Sequence, residues 1–109
     1  MEISKAAKQN ITPLGIYIGI AVAGCELDEI GIGPIFAIPK SLKQHRLTIN
    51  DIDLYELNKA FTTQVLSCRE KLGIENNILN VNGGTNSVGH PYRMIGSLVI
   101  IAHTLFEVI

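Results

Sequence analysis

With 109 residues, of which 47% are hydrophobic and only 17% charged, and a formal charge of −1, the chain has material for one domain with a real core and no more. Its scattered lysines and arginines exclude the basic patch of a nucleic-acid binder or of a protein that rides on anionic membranes. A mean hydropathy of +0.28 is apolar for a small free-standing domain and predicts contacts with something outside these residues.

Cys25 and Cys68 offer neither a disulfide framework nor a metal-ligand spacing, which fits a reducing compartment. Met1–Lys5 lacks the hydrophobic core of a secretion signal, and Glu107-Val108-Ile109 is no receptor-read peroxisomal tail. The apolar run from Leu14 to Gly24 has about half the length that a membrane-spanning helix needs.

In chain order, residues 4–9 read as the tail of a helix. Pro13 opens the run Leu14–Gly24, apolar on both alternating sets as in a strand covered on both faces. Cys25–Ile30 is an acidic loop. Pro34 starts a helix with Ile35, Ile38 and Leu42 on one face, and Pro39 should kink it or confine it to its first turns. Lys43, His45 and Arg46 suit its C-terminal end. Thr48-Ile49-Asn50-Asp51 resembles a capping box for a single turn. A short strand over Asp53–Leu57 then leads to Asn58, which begins a helix from Lys59 to Leu72 ended by Gly73. Phe61, Val65, Cys68 and Leu72 form its buried stripe. A strand over Ile78–Val81 enters the loop Asn82-Gly83-Gly84-Thr85-Asn86-Ser87-Val88-Gly89-His90-Pro91. The last helix, from about Pro91 to Glu107, is apolar all round and therefore buried, with His103 as a core or rim residue.

Strand, helix, strand, helix, strand, helix implies parallel β–α–β units, whose ligands sit beyond the C-terminal strand ends. Asn58 and His90 both fall at such ends. A helix N-terminus disfavours imidazolium, so His90 is held neutral there and can serve as a base or a donor. Taken one at a time, His90 also fits an incidental place in a glycine turn, Asn58 an ordinary helix cap, and Phe61 plain core.

Asn82-Gly83-Gly84 followed by Gly89-His90-Pro91 resembles the active-site histidine loop of thiolases. Gly31-Ile32-Gly33-Pro34 and Asp51–Phe61 match that family in the same order, so the resemblance spans about residues 13–107. Cys68-Arg69-Glu70-Lys71-Leu72-Gly73 and Asn80-Val81-Asn82-Gly83-Gly84 are most similar to the peroxisomal 3-ketoacyl-CoA type. The resemblance implies a layered α/β fold, with this chain an incomplete C-terminal half carrying a mostly parallel sheet and a buried last helix. It implies acyl transfer between 3-ketoacyl-CoA and coenzyme A in fatty-acid β-oxidation, with coenzyme A thioesters as substrates and no cofactor or metal. His90 then activates a cysteine and binds the thioester oxygen, Asn58 holds a water in the same oxyanion site, and Phe61 and Gly89 contact substrate, Phe61 along the pantetheine channel. A peroxisomal setting follows from the same resemblance, with cytoplasm or mitochondrion as alternatives, and so does a homo-oligomer or other protein partner.

Three departures stand out: Lys59 replaces the family's glutamate, and Tyr92-Arg93 follow the histidine loop in place of Leu-Gly. Neither Cys25 nor Cys68 occupies a family cysteine position. The expectation is a fragment without thiolysis activity of its own, or alternatively a non-catalytic module that associates with intact thiolase subunits. Phosphate or nucleotide binding at Gly83-Gly84 is the weakest reading, because no P-loop or dinucleotide fingerprint is present.

Overall fold

The computed structural model describes residues 1–89. His90, Tyr92, Arg93, His103 and the apolar last helix lie outside the described residues. Four helices are present among them: α1 (Ile3–Lys8), α2 (Gly33–Gln44), α3 (Thr62–Leu72) and the single turn α4 (Thr85–Val88). Short 3-10 turns occupy Leu27–Ile32, Ile49–Asp51 and Asn76–Ile78.

The core lies where α2, α3 and the Leu27–Ile32 turn pack on one another. Cys68 is its fully buried centre, with Val65 and Ile74 beside it in sequence and also buried. The Cys68 thiol approaches the Gly31 carbonyl at 4.0 Å. Burial pushes that thiol above its ordinary value, against a smaller opposing pull from the Ile35 backbone. It is a small core residue and no nucleophile.

Pro34 sits in the first turn of α2 as expected. Pro39 does not confine the helix, which continues to Gln44; its missing N–H removes one bond, and the flanking turns carry on without it. Gly73, at φ 70°, caps α3 in the left-handed conformation. His45 follows α2 and packs against Gly19, its Nε2 enclosed without a hydrogen-bond partner among the described residues.

Regular strands do not form among the described residues. Leu14–Gly24 has neither helix nor strand and is uncovered: Leu14, Tyr17 and Val22 are each at least three-quarters exposed, and no strand flanks them among the described residues. Its one hydrogen bond among the described residues comes from Lys40 Nζ to the Val22 carbonyl at 2.7 Å. The other two expected strands meet in a single parallel bridge, Tyr55 with Leu79. The pairing stops there because Asn80 turns left-handed at φ 50°.

The Thr48 capping interaction is present: its Oγ1 and its N–H both donate to Asp51 Oδ2 at 2.7 Å. The hydroxyl bond first, and the backbone bond second, hold the Asp51 carboxyl below its usual value. A depressed folded value means that the contribution is complete above the unfolded value of about 4 and fades as pH falls through the folded one. The difference in urea midpoint between the parent chain and Asp51→Asn should therefore shrink from about pH 5 to about pH 3. A gap that stays constant over that range removes the assignment.

Candidate active site

The segment carrying Asn58 is fixed against the segment leading to His90 at alternate residues. Tyr55 N–H donates to the Ile78 carbonyl at 2.7 Å, and Asn80 N–H donates to the Tyr55 carbonyl at 2.8 Å. At the next rung a side chain replaces the main chain. Asn80 Oδ1 accepts from Leu57 N–H at 2.7 Å, and Asn80 Nδ2 donates to the Leu57 carbonyl at 3.0 Å. The carboxamide thus imitates a peptide group after the backbone has turned away. At the third rung Thr85 Oγ1 accepts from Lys59 N–H at 3.3 Å and donates to the Lys59 carbonyl at 3.2 Å. Thr85 is itself buried. Asn58 lies between two residues whose backbones are both clamped.

The clamp also explains where α3 begins. With the backbones of Leu57 and Lys59 engaged by Asn80 and Thr85, the helix does not start at Lys59; Phe61 is its cap residue at φ −140° and ψ 142°, and Thr62 its first turn. Phe61 therefore falls outside the buried stripe and is 72% exposed, so it is no core residue among the described residues.

Glycines make the second wall possible. Gly83 and Gly84 both adopt positive φ, of 86° and 57°. A Cβ on Gly83 would strike Ser87 Oγ, whose hydroxyl donates to the Asn82 carbonyl at 3.1 Å. A Cβ on Gly84 would sit 3.2 Å from the Asn80 carboxamide, tight enough to disturb the clamp. Gly89 follows α4 at φ 83° and is exposed, with no described atom close to where a Cβ would stand; its backbone conformation calls for glycine.

Asn58 is half-buried, and its Oδ1 is enclosed without a hydrogen-bond partner among the described residues. Such an acceptor costs free energy unless it gains a donor. Phe61 and Gln64 face Gly31 and Ile32 across a cleft of about 350 Å³. All three thiolase-like stretches thus converge near the N-terminal end of α3. Tyr55 supports the bridge from below: its hydroxyl donates to the Ile49 carbonyl at 2.9 Å, and burial raises its ordinary value. Among the described residues no cluster of histidine, cysteine or acidic side chains could hold a metal ion.

The roles of Asn80 and Thr85 are not evident in the sequence reading. A signal for Asn80 does exist: asparagine tolerates the left-handed region, and Asn80 stands just before the paired glycines. Thr85 carries no comparable mark.

Comparison with known proteins bears on these stretches together. The family model described as the thiolase C-terminal domain matches residues 11–108. The peroxisomal 3-ketoacyl-CoA thiolase B of Rattus norvegicus is 43% identical over 98 residues, which make up 90% of this chain and 23% of that protein. The peroxisomal 3-ketoacyl-CoA thiolase of Saccharomyces cerevisiae, described as a five-layered structure built from two core domains of identical topology, superposes with a TM-score of 0.78 at 43% identity, over 81% of this chain and 26% of that one. A second structure of the yeast enzyme, described as dimeric, gives a TM-score of 0.82 at 39% identity over 90% of this chain and 26% of that one. Human mitochondrial 3-ketoacyl-CoA thiolase in complex with CoA gives 0.82 at 39% identity, over 94% and 26%. The chain spans about a quarter of the length of these relatives. The family match covers most of the chain and the solved neighbours share its fold over most of its length, so the chain belongs to the thiolase family, within its C-terminal domain.

Proposed function

We propose that this chain supplies the oxyanion-binding and proton-handling half of a thiolase-type acyltransferase, acting on 3-ketoacyl-CoA and coenzyme A. The observation that carries the reading is the clamp through Asn80 and Thr85, which ties the Asn58 segment to the loop that runs on to His90. Asn58, with an enclosed and unpartnered acceptor, suits a carboxamide that holds a water where negative charge develops. His90 in its neutral form would take the proton of the nucleophilic thiol and later help to bind the thioester oxygen. Phe61, exposed at the mouth of the cleft, would lie along the pantetheine arm, with Gly89 close to the substrate.

Residues 1–109 act in this reading as one C-terminal-domain unit, in which a mostly parallel sheet extends from the Tyr55–Leu79 pairing. The nucleophilic cysteine would come from outside these residues, since Cys68 is buried with its thiol pushed up and Cys25 stands at no family cysteine position. Coenzyme A thioesters are substrates, as the CoA bound to the human relative supports, and no separate cofactor is called for. A dimeric partner is supported by the yeast relative. A peroxisomal setting is supported by the rat and yeast relatives, while the human one is mitochondrial.

The test is a chimera: an intact peroxisomal 3-ketoacyl-CoA thiolase whose matching segment is replaced by residues 11–108. The chimera should cleave acetoacetyl-CoA in the presence of coenzyme A, whereas the 109-residue chain alone should not. A folded chimera without cleavage, together with stable association of the 109-residue chain with an intact thiolase, would replace the enzyme reading with that of an interaction module.

A further inference from the structure

A second cleft, of about 320 Å³, lies against Lys59. Lys59, Thr62, Arg69, Asn76, Gly83 and Asn86 are among its lining residues, and no acidic residue is among the described residues that line it. Two cations thus line one cleft with no carboxylate among its described lining. Lys59 makes no ion pair among the described residues, and its backbone is held at both N–H and carbonyl by Thr85, so its side chain starts from a fixed point. Arg69 Nη1 donates to Asn76 Oδ1 at 3.1 Å, which orients the guanidinium. Its contact with Glu70 is long, 3.8 Å, and Glu70 is 73% exposed, so solvent screens the pair. The thiolase motif carries glutamate where this chain has Lys59. That single exchange removes one negative charge from the wall and adds one positive.

We infer that the cleft between Lys59, Arg69 and the Gly83 loop is a binding site for a phosphoryl oxyanion. A planar guanidinium can give a phosphate group parallel N–H bonds, and an ammonium contributes a mobile point charge. The Thr62 hydroxyl and the Asn86 carboxamide line the same space as neutral donors. The cleft shares Asn80 with the clamp beside Asn58, yet the side-chain charges that define it, those of Lys59 and Arg69, take no part in the proposed acyl transfer. The phosphoryl group can come from free phosphate or from the phosphates of coenzyme A, and the chemistry of recognition is shared.

The experiment is an NMR titration of the isotope-labelled 109-residue chain with sodium phosphate, coenzyme A and dephospho-coenzyme A, at ionic strength matched with chloride. Saturable shifts are expected at the amides of Lys59, Thr62 and Asn86 and at the Arg69 side chain, with none from chloride. Saturation by phosphate identifies the free anion as a sufficient ligand, and saturation by coenzyme A alone assigns the site to that molecule; both support the site, and dephospho-coenzyme A shows whether the 3′-phosphate is the recognised group. Lys59→Glu, which restores the motif residue, and Arg69→Gln should each weaken binding at least tenfold. Linear shifts without saturation, or equal affinity in Lys59→Glu, overturn the proposal.

Discussion

Asn58→Ala in the active chimera is expected to lower kcat about 10²- to 10³-fold, equivalent to about 3–4 kcal/mol of transition-state stabilisation. KM should move little, because a group that acts on developing charge contributes most in the transition state. The expectation rests on placement: the carboxamide oxygen is enclosed and lacks a partner among the described residues, while the backbone on either side is pinned. The measurement is steady-state cleavage of acetoacetyl-CoA across a substrate series. A kcat within about threefold of the parent, against the ~10²-fold typical of losing such a donor, would remove Asn58 from the chemistry and leave it a loop residue.

Asn80→Leu in the 109-residue chain should destabilise the fold by about 3–7 kcal/mol, read from urea unfolding. Each of the two bonds to Leu57 leaves a partly buried backbone group unmatched, at about 1–3 kcal/mol apiece. Leucine at φ 50° adds about 1 kcal/mol of backbone strain. Asn80→Gly separates the two terms, since glycine accepts the left-handed conformation but has no amide. If Asn80→Gly unfolds within about 0.5 kcal/mol of the parent, the size of an ordinary surface substitution, the clamp is decorative.

Punctuation was the most legible part of the sequence. Pro34 at the start of α2, Gly73 at the end of α3 and the Thr48–Asp51 cap all form where their local chemistry calls for them. These are short-range effects, decided within a few residues. The register of α3 was not legible. Its start is set by Asn80 and Thr85, 23 and 26 residues away from the backbones that they hold, and no periodicity carries that information. Phe61 moved from stripe to surface for the same reason. The run Leu14–Gly24 shows the opposite limit: its pattern describes a covered strand, yet cover depends on neighbours that the described residues do not include. As for the site, the resemblance selected Asn58, His90, Phe61 and Gly89, and the clamp brings the Asn58 segment onto the stretch that ends at Gly89. His90, Tyr92 and Arg93 lie outside the described residues.

The uncovered ribbon has a practical consequence. Tyr17, Ile18, Ile20 and Val22 face water along one uncharged stretch, and an unpaired segment of that composition is a ready template for intermolecular strand addition. Chains made without a companion should meet one another through this ribbon first, so yield and solubility will follow dilution and chaperone supply more closely than they follow the strength of the small core around Cys68. A charged residue or a proline placed at Ile18, away from every clamped residue, is the natural gatekeeper for handling the molecule at high concentration.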